Sequence, residues 1–455
     1  MKRYWRWLRL KGKWLFDLLV NNKIRLSILQ AMPFWVASLL TGLVAVGFTR
    51  LFGLSESLLQ SVLHWHYWMI FIMGPICFFL AWLVVFVFAP NAKGSGIPQV
   101  MAAIDLATPK YEYLIGKLLS FRIMVVKIIS SLLMVLGGGA IGREGPTIQI
   151  AGSIFRMVNK WTPSTWPKLS RQSFILTGAA AGLAAAFNTP LGGVVFAMEE
   201  LAKIHIRHFR TALFSAVIIS GLTAQAILGP YLYLGYPNVA GLHFSAFLGV
   251  TVTAIIAGIL GSIMCKLIIL VMKRKKNFTT TSIMMYLFVA GLVMAGIAYF
   301  FTPEILGSGK ALMNGFLFSD NKESTPSTVL VRMLGSIICF NTGAAGGIFA
   351  PALAAGASVG SFISGAFNMS GSGANIIILS GMVGFLTGVT RTPFTSSILV
   401  LEMTDRHSVI FHLMLAGLIS NMAALLIDKH SLYEQLKKSY VEDTIASGNG
   451  ELNAG

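Results

Sequence analysis

Charge is the scarcest resource in this sequence. Only 11% of its 455 residues are Asp, Glu, Lys or Arg, against roughly a quarter in soluble domains. Acids are fewer still, 17 against 35 basic residues. A chain of this length with ordinary composition would suggest about three soluble domains, but the low charge excludes that organisation. Long polar stretches are missing too: apolar segments recur from Ser27 to Ile427 with no polar block large enough for a soluble domain. Cysteine is nearly absent. Cys77, Cys265 and Cys339 lie apart in apolar segments, which excludes a disulfide scaffold and a cysteine metal site and leaves them as small core residues. The N-terminus "MKRYWRWLRLKGKW" lacks the apolar core and small-residue cleavage site of a secretory leader.

What is present is apolar: 55% of residues are hydrophobic and the mean hydropathy is +0.74. The reading is one polytopic all-α membrane domain over residues 27–435. Residues 1–26 form a cytosolic or interfacial segment, and 436–455 a short cytosolic tail. Clear spans fall at Ile28–Phe48, Trp68–Phe88, Ile123–Ile141, Leu213–Leu228, Phe247–Met272, Ile283–Phe301 and Val409–Leu426. The net charge of +18 is not a nucleic-acid footprint, because the basic residues sit in short connections between spans. Residues 1–25 hold eight of them, and 156–171, 203–210, 273–276 and 429–438 are also basic. The positive-inside rule places these groups, and both termini, in the cytosol. Mixed with Trp, the first residues read as an amphipathic helix on that face.

Other apolar stretches are too broken to span as ordinary helices. "FILTGAAAGLAAAFNTPLGGVVFAMEEL" and "GSIICFNTGAAGGIFAPALAAGASVGSFI" are interrupted by Gly and Pro. Helix ends inside a membrane are tolerated only where they are buried in protein or line a cavity. These stretches also repeat. Residues 178–200 align without gaps on 381–403, and 142–153 on 347–358, giving halves of roughly 27–229 and 243–435. Repeated halves with interrupted helices mark secondary transporters, with the site near the midplane, and favour an inverted repeat. The alignment separates scaffold from chemistry. Glu199 meets Glu402, so that pair reads as capping or packing. Glu144 faces Phe349 and Glu200 faces Met403, and these asymmetric acids are the functional candidates.

Three motifs share one design. "KGSGIPQV" (93–100), "GREGP" (142–146) and "GGIFAP" (346–351) each place glycines before a helix start that carries proline. The first N–H groups of a helix have no internal partner and carry partial positive charge, so they hold anions without a full cation. An ion held this way can also leave.

These segments resemble the CLC family of chloride channels and chloride/proton exchangers. The likeness is carried by "GSGIP", "GREGP", "GGIFAP" with "GASVG" at the family's spacing, and Tyr433 in "HSLYEQL". It runs from about Trp35 to Tyr433 and implies a CLC-like fold of two inverted repeats. It also implies that the hydroxyls of Ser95 and Tyr433 and the N–H groups of Ile348 and Phe349 hold a central chloride. The N–H groups around Arg143 and Gly145 hold an outer anion. Glu144 is the external gating glutamate and Glu200 the internal proton-transfer glutamate. Lys127 and Arg143 raise the potential along the pathway without touching the ion. An ionisable Glu200 favours a proton-coupled exchanger over a passive chloride channel on the same fold. Ser95 points to chloride, because a nitrate-preferring branch resembles "GPGIP" and a fluoride branch departs from the motif altogether. Gln99 stands where many relatives carry an acid. The resemblance implies no enzyme activity, cofactor, metal or nucleic-acid partner. It implies a homodimer in lipid with one pathway per subunit, and the short ends suggest a bacterial inner membrane. "GASVG" (356–360) also fits a nucleophile-elbow pattern, but its Ala/Gly-rich helical context lacks the preceding strand that pattern needs.

Overall fold

Backbone polar groups in hydrocarbon must be satisfied within the chain, and helices do this segment by segment. The computed structural model describes residues 22–454, apart from 168, 202–208, 231, 240–244, 302 and 321. The amphipathic helix expected in "MKRYWRWLRLKGKW" lies outside the described residues. Among the described residues nine helices are long and apolar enough to cross a membrane, and extended pairing is confined to two isolated bridges. The protein is a multi-pass integral membrane protein.

The first helix, α1 (Asn22–Trp65), has 44 residues. The expected span stopped at Phe48, before Arg50. The helix instead continues through the polar "SESLLQSV" stretch. At 1.5 Å per residue it is about twice the thickness of the hydrocarbon core, so its second half carries polar residues toward one mouth of the molecule. α2 (Ile70–Phe88) follows, then the short α3 (Ile97–Asp105), α4 (Phe121–Leu136), α5 (Glu144–Trp161), α6 (Arg171–Phe187), α7 (Pro190–Phe196) and α8 (Arg210–Leu228). The second half repeats the order as α9 (Ser245–Lys275), α10 (Thr280–Phe300), α11 (Lys310–Phe318), α12 (Pro326–Phe340), α13 (Phe349–Ala366), α14 (Gly371–Thr390), α15 (Pro393–Thr404) and α16 (Ile410–Leu425). The last helix, α17 (Leu432–Ala454), covers the segment expected as a tail. It packs on α3, and Lys437 meets Asp105 at 2.9 Å.

The breaks fall where glycine and proline placed them. α6 stops at Asn188, whose φ of 58° is left-handed, and Pro190 starts α7. α14 stops at Arg391, φ 63°, and Pro393 starts α15. α13, part of a stretch read from sequence as too broken to span, has full span length because the interruption lies before Phe349, and α14 has full length up to its break after Thr390. They form the centre: 94% of the apolar stretch of α14 is buried, and its glycines at 381, 384 and 388 let neighbouring helices approach closely. Gly356 of α13 lies against the Gly381 carbonyl, so the glycines of "GASVG" serve close helix approach. Phe300, Phe411 and Met422 point outward, as side chains facing lipid do.

The halves are related by a local two-fold. Glu199, in the turn after α7, accepts from the amides of Phe394 and Thr395 at 3.2 and 2.6 Å and from the Thr395 hydroxyl at 2.8 Å, at the start of α15. Its counterpart Glu402, in α15, accepts from the amides of Leu191 and Gly192 at 3.0 and 2.6 Å, at the start of α7. Such reciprocity, each element contacting the other's mate, is the signature of a two-fold relation. Gly142 and Gly347, which fall on each other in the repeat, pair antiparallel, so the two copies run in opposite directions.

Candidate functional site

The three anion-type motifs lie far apart in sequence and meet in space. Residues 344–347 are the hub. The Gly94 amide donates to the Ala344 carbonyl at 2.8 Å, and the Gly346 amide to the Gly94 carbonyl at 3.1 Å. Gly142 and Gly347 exchange both backbone bonds, at 2.8 and 2.7 Å. These four bonds draw the starts of α3, α5 and α13 together, with their free N–H groups gathered around one point. Glycine is required here. Gly94 and Gly96 have φ of 64° and 104°. A methyl on Gly347 would come within 3.1 Å of the Gly142 carbonyl and the Gly145 nitrogen, and one on Gly145 would strike Ser95.

Two hydroxyls face this convergence. Ser95 and Tyr433 are both buried and stand next to each other, yet neither oxygen makes a well-formed hydrogen bond to the protein. Buried polar groups are nearly always paired. Two neighbouring hydroxyls spare from protein bonding suit a small anion that accepts from both. Ile348 caps α13 and Phe349 begins it, so the expected donors sit at the start of that helix.

Glu144 opens α5 and is fully buried. Its carboxylate lies against Gly142, on the side where Ala350 and Pro351 begin the facing helix. Neither oxygen forms a hydrogen bond of good geometry, although the amides of Glu144 and Ala350 are close enough to act on it. A carboxylate in this position occupies the field of two helix starts, as an anion would. The Arg143 guanidinium donates to the Thr49 carbonyl at 3.3 Å and lies within electrostatic reach of Glu144.

The convergence lies between two cavities. One, of about 470 Å³, includes Ser95, Lys93, Lys273, Lys275, Lys276 and Tyr440 in its wall. Burial holds the Lys93 ammonium below its usual range, against the opposing effect of Asp443 and with a further push from Lys276. The other cavity, of about 310 Å³, is lined by Glu144 and Arg143 together with Glu56, Ser308 and Lys310. Lys127 touches neither cavity. It is buried and donates to the Gly94 carbonyl at 2.8 Å, pinning the Ser95 turn.

Glu200 lies in the π-turn Ala197–Leu201 that ends α7, with Glu199, Glu434 and Lys437 as its charged neighbours. Of the basic residues that follow it in sequence, Lys203 and Arg207 lie outside the described residues and Arg210 begins α8. Tyr433 is within electrostatic reach of both Glu144 and Glu200. Sequence reasoning missed Glu56, Ser308, Lys310 and Arg332. One signal was available: "GSG" at 307–309 repeats "GSG" at 94–96.

Comparison with known proteins bears on the family and the fold. The profile of the voltage gated chloride channel family matches residues 77–425. The H(+)/Cl(-) exchange transporter ClcA of Citrobacter koseri is 28% identical over 452 residues, covering 94% of this chain and 91% of that protein. The protein of the same name from Salmonella arizonae is 28% identical over 450 residues, with the same coverage. Among solved structures, a slow cyanobacterial Cl-/H+ antiporter superposes with a TM-score of 0.77 at 24% identity, over 90% of this chain and 97% of that one. A CLC-type fluoride/proton antiporter gives 0.73 at 19% identity, over 91% and 98%.

Proposed function

This chain belongs to the voltage gated chloride channel family, and we propose that within it the protein is a secondary active transporter that exchanges chloride for protons. The observation that carries this reading is the buried Glu144 carboxylate, unpaired at the meeting of helix starts. A carboxylate and a chloride compete for the same donors. When ionised, Glu144 occupies the anion position. When protonated, it loses its attraction to the helix starts and leaves them to chloride. Proton uptake is thereby linked to anion movement. Ser95, Tyr433 and the N–H groups of Ile348 and Phe349 hold the central chloride, and the N–H groups around Arg143 and Gly145 hold the outer one. Lys127 acts at a distance, through the Gly94 carbonyl it binds. Glu200 passes protons between Glu144 and the basic face. By the positive-inside rule that face is cytosolic, and the Glu144 cavity opens outside. The names of the ClcA relatives support exchange. We carry over the homodimer with one pathway per subunit, and the bacterial inner membrane, as parts of the same proposal.

The competing reading is a passive chloride channel on the same fold. Proteoliposomes given a chloride gradient decide between them: an exchanger moves protons uphill, and a channel leaves the proton gradient unchanged. Glu200→Gln is expected to abolish proton movement while chloride movement continues. Intact proton coupling in that variant would remove Glu200 from the mechanism.

A further inference from the structure

At the outer mouth α1 contributes Glu56. Its Oε1 accepts from the Ser308 amide at 3.2 Å and from the Ser308 hydroxyl at 2.8 Å. Ser308 lies in the second Gly-Ser-Gly turn, which shapes the start of α11 as the first shapes the start of α3. Gly94 and Gly307 share a φ of 64°, and Gly96 and Gly309 are both left-handed at 104° and 82°. In the first turn the serine hydroxyl stands beside the Tyr433 hydroxyl and makes no well-formed hydrogen bond. In the second, the serine's amide and hydroxyl hold a carboxylate. Arg332, fully buried, donates to the carbonyls of Ile305 and Gly307 and fixes this turn. The Lys310 ammonium stands 4.8 Å from the ring centre of Tyr233, within electrostatic reach of Arg143, Glu56 and Glu144. The groups facing Glu56 are therefore Arg143 and Glu144 from α5, Lys310 from α11, Arg332 from α12 and Tyr233.

We propose that Glu56, held by Ser308, is an outer positioning carboxylate that sets from outside how readily Glu144 takes a proton. It touches neither the chloride sites nor the gate, and it acts through charge. Arg143 and Lys310 alone would make this mouth strongly positive, which favours both an ionised Glu144 and a tightly held anion. Glu56 offsets that field, and as a like charge it disfavours ionisation of Glu144. Glu144 is fully buried, so the field at its carboxyl is screened less than at an open surface.

The inference rests on Glu144 as the protonated gate, and one experiment separates the two. Chloride flux into proteoliposomes of the full chain is measured against external pH for the native protein, Glu56→Gln, Glu56→Asp, Lys310→Gln and Glu144→Gln. Flux rises as external pH falls, and the midpoint reports Glu144. Neutral Gln still accepts from Ser308 but carries no charge. Glu56→Gln is expected to move the midpoint down by about half a pH unit to one unit. Glu56→Asp stays on the native curve, and Lys310→Gln moves the midpoint up. A Glu56→Gln curve that superimposes on the native one, or that moves in the same direction as Lys310→Gln, overturns the proposal. Should Glu56→Gln not fold, Glu56→Ala is read in its place: an unmoved or raised midpoint overturns the proposal. A flat curve for Glu144→Gln beside an unmoved Glu56→Gln retains the gate and discards Glu56. A pH-dependent curve for Glu144→Gln discards the gate itself.

Discussion

The two halves of the molecule share a backbone and diverge in their acids. Thr189 and Thr392, which lead into α7 and α15, have φ/ψ of −126°/81° and −119°/79°. Arg143 and Ile348, which cap α5 and α13, have −93°/−13° and −102°/−2°. Against this matched frame the acids sort into two kinds. Glu199 and Glu402 do the same work on each other's half. Glu144 and Glu200 stand opposite Phe349 and Met403 and have no counterpart. A duplicated fold needs what both copies keep, and what only one copy carries is free for transport.

The largest effects belong to the unmatched acids. Glu144→Gln is expected to leave anion flux but remove its dependence on external pH and reduce proton-coupled movement to background, read by proton uptake driven by a chloride gradient. Glu200→Gln should abolish proton movement and keep the external-pH dependence. The same loss on replacing Glu402 would break the division between matched and unmatched acids.

A second contrast lies in packing. Gly356 of α13 lies against the backbone of Gly381, whereas the residue matched to Gly381 in the first half, Gly178, faces the side chain of Phe155. A side chain can shift and a buried backbone cannot. Gly356→Ala is therefore expected to cost more than about 3 kcal/mol, and Gly178→Ala about 1 to 2 kcal/mol. Thermal unfolding of the purified protein in detergent measures both. Equal losses would show that the two interfaces yield alike.

Much of this frame was legible in the sequence because it rests on local rules. Glycine and proline marked the breaks at Asn188 and Arg391, and a gapless alignment picked out Glu199 and Glu402 as a structural pair. The motifs placed Ser95, Glu144 and Phe349 at helix starts. Their convergence was not legible from spacing. It depends on the hub at 344–347, whose bonds to Gly94 and Gly142 span some 200 residues or more. The length of α1 was missed because the expected span ended at Phe48, where the apolar run stops. Glu56 was missed with it, since it stands one residue before Ser57 in a polar stretch with no motif of its own. Ser308 lay in a visible "GSG", but its spacing from the first, 213 residues, does not match the 203 and 205 of the aligned segments.

The matched acids sharpen the comparison at intermediate size. Glu199→Ala removes three bonds to the start of α15, and Glu402→Ala removes two to the start of α7. Each is expected to destabilise the protein by about 1 to 2 kcal/mol with the proton-to-chloride ratio unchanged. A changed ratio in one variant only would make that acid functional.

The smallest test asks whether symmetry reaches the ordinary caps. Ser120 caps α4, accepting from the Ile123 amide at 3.4 Å, and Thr325 caps α12, accepting from the Thr328 amide at 3.4 Å. They lie 205 residues apart, the same offset as Glu144 and Phe349. Both backbones are extended at the cap, so each hydroxyl satisfies one amide at a helix start. Ser120→Ala and Thr325→Ala should each cost about 0.5 to 1 kcal/mol, equal within error by thermal unfolding. α12 carries the Arg332 that holds the Ser308 turn, whereas α4 carries the Lys127 that holds the Ser95 turn. Equal costs with unaltered flux make both caps purely architectural. A flux defect confined to Thr325→Ala would show that α12 must be anchored for its arginine to keep the outer mouth in shape.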